Sequence, residues 1–73
     1  MTETEKTFLI DNLIRLLKIN SNGVEEKNIK EYLEYVNKVN YSSAEINSLL
    51  QILISEKKII RKGNFYVVGS AIN

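Results

Sequence analysis

The sequence predicts a mainly α domain closed by a small β-hairpin, an α+β fold. Three observations carry this. Apolar residues recur at helical spacing through three successive segments. Two polar breaks, "NSNG" and "NYSS", separate those segments. The chain then changes rhythm at "IIRKGNFYVV", which reads as strand, two-residue turn and strand. The 73 residues make one domain. Its expected elements are α1 at about 4–19, a strand bridge β1 at Val24, α2 at about 25–39 and α3 at about 43–57. The strands β2 and β3 follow within 58–68, and 69–73 form a short tail.

In α1, Leu9, Leu13, Leu16 and Leu17 form the inward stripe, and Ile10 and Ile14 widen it beyond a one-sided face. Thr4 or Thr2 caps it, and Glu5 in the first turn suits the helix dipole. Asn20 and Gly23 favour left-handed conformations and stop it. The stripe of α2 is Ile29, Tyr32, Leu33, Val36 and Val39. Ser42 and Glu45 then fit a capping box ahead of α3, where Ile46, Leu49, Leu50 and Leu53 point inward. In the hairpin, Gly63 at the first turn position suits a type II′ turn. The register pairs Lys62 with Phe65, Arg61 with Tyr66, Ile60 with Val67 and Ile59 with Val68. One face carries Ile59, Arg61, Tyr66 and Val68, the other Ile60, Lys62, Phe65 and Val67.

Composition excludes several classes of function. Without cysteine or histidine, there are no disulfides, zinc fingers, or thiol or imidazole catalysis. No metal-ligand cluster, phosphate loop or paired nucleophile and base is legible, so neither an enzyme nor a cofactor is expected. Glu31 and Glu34 sit among Lys27, Lys30 and Lys38 as salt-bridging residues of a solvated face. No apolar run is long enough to insert in a membrane, and "MTETEK" is too polar for a signal peptide, which points to the cytoplasm. The net charge of +1 hides an uneven distribution. After residue 41, Glu45 and Glu56 face four bases, Lys57, Lys58, Arg61 and Lys62, all within six residues.

The order of these elements resembles a winged helix-turn-helix. The resemblance lies in "NGVEEKNIKEYL", "SSAEINSLLQILISEKKII" and "RKGNFYVV" and covers residues 5–68. It implies that α3 enters the major groove of duplex DNA and that the hairpin touches the backbone or minor groove. On that reading Ser43, Ala44, Asn47, Ser48 and Gln51 form the reading face. Asn47 and Gln51 suit bidentate contact with adenine edges, and Ala44 and Ser48 allow close approach. The alternative is a solvated polar face. Lys57, Lys58, Arg61 and Lys62 would grip phosphates, although bases at a helix C-terminus are also what its dipole favours. The helical part is similar as well to the N-terminal dimerisation domain of ribosomal acidic stalk proteins, which lack a terminal hairpin.

The resemblance implies a stand-alone transcriptional regulator acting as a homodimer. The short chain, rich in Ile, Asn and Lys, suits an archaeal, viral or plasmid-borne regulator. The neutral face of α3 and the apolar outer face of the hairpin support a different use. In that reading the domain is a protein–protein adaptor in a transcription, replication or membrane-remodelling assembly. Ile10 and Ile14 on α1, Tyr35 on α2, and Ile60, Phe65 and Val67 on the hairpin are the expected dimer or partner surface.

Overall fold

Two reciprocal caps set the starts of α1 and α3. The computed structural model describes residues 2–69, so residues 70–73 of the expected tail lie outside the described residues. Thr2 Oγ1 accepts from the Glu5 N–H at 3.1 Å while Glu5 Oε1 accepts from the Thr2 N–H at 3.0 Å. Ser42 and Glu45 repeat the arrangement at 3.0 and 2.9 Å. Each box satisfies two backbone donors that would otherwise lack partners.

The elements are α1 (Glu3–Ile19), β1 (Val24–Glu25), α2 (Glu26–Asn37), α3 (Ser43–Ser55), β2 (Ile59–Lys62) and β3 (Phe65–Val68). Three helices and a small antiparallel sheet in this order have the layout of a winged helix. The sheet runs β1-β3-β2, and β2 and β3 pair in the register expected from the sequence. Val24 does bridge to the hairpin, opposite Tyr66. Gly63 takes φ 64° and Asn64 is not among the residues with positive φ, the pattern of a type II′ turn.

Two helices end earlier than expected. The second stops at Asn37, and Lys38 turns the chain at φ 57°. Val39 therefore lies beyond the helix and is exposed instead of completing the inward stripe. The third stops at Ser55, and Lys57 takes φ 61°. There the Lys58 N–H reaches the Leu53 carbonyl and the Lys57 N–H the Ile54 carbonyl, both at 2.9 Å. This paired termination is a Schellman motif with lysine where glycine is the usual residue.

The core gathers Leu9, Leu13 and Leu17 from α1, Ile29 and Leu33 from α2, and Ile46, Leu49, Leu50 and Leu53 from α3. Tyr41, Ile59 and Tyr66 complete it. Tyr41 immediately precedes the cap of α3 and Ile46 lies at its fourth helical position, the spacing of a hydrophobic staple. Asn12 is buried in α1 as well. Its Nδ2 donates to the Phe8 carbonyl at 2.8 Å, which satisfies the polar group inside the helix.

Gly23, in the loop that leads into β1, fits for two reasons. Its φ is 103°, and a Cβ there would lie 2.8 Å from Phe65 Cβ and 3.2 Å from Val67 Cγ1. The loop thus lies against the outer hairpin face, which the sequence left wholly bare. Val67 is half-buried as a result.

Candidate nucleic-acid interface

The capping box fixes where α3 begins, and its four buried apolar residues fix which side turns outward. Ser43, Ala44, Asn47, Ser48 and Gln51 are all exposed. The side-chain hydrogen bonds of this helix lie at its ends, with Ser42, Glu45 and Ser55. Among the described residues the amides of Asn47 and Gln51 have no intramolecular partner, so both are free to donate and accept outward. Ile52, 40% exposed, stands one turn beyond Ser48 on the same side. The sequence reading assigned Ile46, Leu49, Leu50 and Leu53 to the inward stripe and left Ile52 unplaced; its offset by two positions from Leu50 was the available signal.

The four bases after α3 are exposed but do not form one strip. Lys57 and Arg61 share a groove of about 450 Å³ floored by Ile54, Ile59 and Ile60. Lys58 turns towards α1 and lines a second groove of about 420 Å³ with Ile10, Asp11, Ile14, Arg15 and Lys18, three bases against one acid. Its ammonium is also 3.6 Å from Glu56. Arg61, on the inner face of the hairpin, lines a third groove with Glu25, Glu26 and Tyr66, and its Nε donates to the Gly63 carbonyl at 2.9 Å. Lys62 stands on the outer face beside Phe65. Arg15 and Lys18 belong to the positive surface too. Their spacing of three on a helix was visible in the sequence; their meeting with Lys58 depends on the tertiary packing.

Beneath this surface, the turn between α2 and α3 is held by one carboxylate. Glu34 Oε2 accepts the Tyr41 N–H at 2.8 Å and Lys30 Nζ at 3.0 Å. The Tyr41 amide and then the Lys30 ammonium hold the Glu34 carboxyl below its ordinary range, since both bond the ionised form. The Lys30–Glu34 pair agrees with the expected salt bridging, whereas Glu31 has no ion pair among the described residues, and the bond to Tyr41 gives Glu34 a second task. Tyr66 is buried and its hydroxyl donates to Glu26 at 3.4 Å. Burial, then the Glu26 charge, raises its pKa.

The residues expected to form a partner surface fall into separate places. Ile10 and Ile14 are half-buried and pack against the core while lining the groove with Lys58. Tyr35 is 81% exposed on α2. Ile60 and Phe65 are 43% and 45% exposed on the outer hairpin face. Phe8 and Val39, not singled out from the sequence as surface residues, line another exposed groove between the start of α1 and the end of α2. Among the described residues no helix is long and apolar enough to cross a membrane. Compared with protein-family models, curated proteins and solved structures, the chain matches none of them.

Proposed function

We propose that this chain binds double-stranded DNA as a homodimeric transcriptional regulator, with α3 as the reading element. The observation that carries this reading is the outward face of α3. Ala44 and Ser48 present little bulk, and Asn47 and Gln51 present exposed amides four residues apart. A helix with small side chains fits closely into the major groove, where amides recognise adenine bidentately. Lys57, Lys58 and Lys62 supply charge at the exit of α3 and on the hairpin for phosphate contacts. Regulation is by occupancy, with two copies of α3 in successive major grooves about 34 Å apart.

An electrophoretic shift with duplex DNA at two salt concentrations tests the reading. Binding should fall steeply as salt rises. Lys62→Ala should weaken all sequences alike and reduce the salt slope by about one unit. Asn47→Ala and Gln51→Ala should each cost roughly 1–3 kcal/mol at the preferred site and change sequence preference. Variants that bind specific and random duplexes as the parent does would remove α3 as the reader.

Two observations favour a second reading, that of a protein–protein adaptor. Ile60 and Phe65 expose apolar surface on the hairpin, and the reading face of α3 carries no base between Ser43 and Ser55. In that case one partner should co-purify while duplex DNA is not retained.

A further inference from the structure

The solvent side of α1 is divided by charge along its length. Its first three turns carry Glu3, Glu5 and Asp11 against Lys6, and its last two turns carry Arg15 and Lys18. Lys58 adds a third positive group to that end. Between the ends runs one stripe, Glu3, Thr7, Ile10, Ile14 and Lys18, at spacings of four, three, four and four, which keeps all five on one side of the helix. The two isoleucines are half-buried, so each presents an apolar edge outward. Two exposed hollows lie along this side, one with Glu3, Thr7 and Phe8 and the other with Ile14, Arg15 and Lys18, and Asp11 lines both. The two hollows adjoin at Asp11. Glu3 is only loosely held, its carboxylate 3.8 Å from Lys6 and almost wholly in solvent. Among the described residues Arg15 and Lys18 have no ion-pair partner.

A two-fold interface requires that if residue i meets residue j, then j meets i. The α1 stripe satisfies this when two copies lie antiparallel. Glu3 then faces Lys18 of the second copy at both ends, Thr7 faces Ile14, and Ile10 lies next to the axis opposite Asp11 at the edge of the stripe. The matched charges are about 22 Å apart along each helix at the usual rise per residue. A parallel arrangement would instead set Glu3 against Glu3 and Lys18 against Lys18. We propose that α1 is the self-association surface of this protein, occupied by the α1 helix of a second copy in antiparallel orientation. The proposal rests on the homodimer in the reading above, and not on DNA as its ligand.

The placement of Glu3 and Lys18 also suits the helix dipole, and that simpler explanation predicts a different outcome. Glu3→Lys and Lys18→Glu each put like charges together at both ends of the antiparallel pair. The double variant Glu3→Lys/Lys18→Glu restores the pairing while opposing the dipole at both ends. Sedimentation of the full chain and these variants over a range of concentrations is the test, with far-UV circular dichroism to check folding. The parent should dimerise, each single reversal should weaken the dimer at least tenfold, and the double variant should recover most of that loss. A double variant no better than the singles, or a parent that stays monomeric at high micromolar concentration, overturns the assignment. The chain has no cysteine, so engineered thiols give a second measurement that does not depend on the charge variants folding. Oxidised Thr7→Cys/Ile14→Cys should run as a covalent dimer and Tyr35→Cys should not; the reverse pattern also overturns it. A dimer with the expected charge pattern that fails to shift duplex DNA would leave the α1 assignment standing and remove the DNA reading.

Discussion

Lys57 holds a backbone position that its side chain does not favour. At φ 61° it occupies the left-handed region, where a Cβ costs roughly 1–2 kcal/mol and glycine costs nothing sterically. The Schellman bonds of Lys57 and Lys58 to Ile54 and Leu53 fix this geometry whatever the side chain. Lys57→Gly should therefore raise stability by about 1 kcal/mol, measured by urea or thermal unfolding. The same change removes one exposed cation beside the exit of α3. If Lys57 contacts a phosphate, duplex binding should weaken and the salt slope fall by about one unit as stability rises. Stability and binding moving in opposite directions would separate the two effects in one variant. A stabilised variant with unchanged salt slope would assign this lysine to solvation.

At the scale of elements, the turn between α2 and α3 depends on ionised Glu34. Its carboxylate joins Lys30 on its own helix to the Tyr41 amide ahead of the next one, and Asn37 Nδ2 donates to the Tyr41 hydroxyl beside it. Because the folded state lowers the Glu34 pKa, the contribution is fully present above the unfolded value of about 4.3 and is lost as pH falls through the folded value. Glu34→Gln should lower the melting temperature at pH 7, and the gap to the parent should close below about pH 4. A gap that stays constant across that range would show that the charge on Glu34 contributes nothing to the turn.

The same turn shows what the sequence could and could not reveal. The cap written as Ser42 with Glu45 is short-range chemistry, and the start of α3 was legible from it; for α1 the spacing left Thr4 and Thr2 both open, and the structure uses Thr2, with Glu5 closing the box. The hairpin register was legible too, since a Gly-Asn turn between two four-residue strands leaves little freedom. The end of α1 at Ile19 was legible from Asn20 and Gly23, but the ends of α2 and α3 were not, because lysines at 38 and 57 take the left-handed conformations that usually mark themselves with glycine. On the candidate site, the polar face of α3 could be read from spacing alone. The dispersal of Lys57, Lys58, Arg61 and Lys62 into different grooves could not, since it depends on which helix packs against each residue. Nor could the contact of Gly23 with Phe65, which joins residues more than forty positions apart.

For the whole molecule, the exposed apolar groups are the remaining feature to place. Phe65 and Ile60 form the outer hairpin patch, and the Gly23 loop covers part of it. Full burial of a phenylalanine is worth roughly 1.5–3 kcal/mol, and a ring that is half exposed contributes about half of that within one copy. Phe65→Ser should thus destabilise the domain by about 1 kcal/mol through the lost packing alone. In a chain of this size that corresponds to a fall of about 4–8 °C in melting temperature. Sedimentation of the same variant then decides what the patch is for. With α1 as the self-association surface, Phe65→Ser should remain dimeric while its melting temperature falls. Were the hairpin the dimer surface, the variant would become monomeric, and Glu3→Lys would leave the dimer intact. A variant that stays dimeric and still binds DNA but loses a co-purifying protein would place the patch in a separate interaction. Measured together, Phe65→Ser and Glu3→Lys give opposite outcomes for the two candidate surfaces, so each variant checks the assignment made from the other.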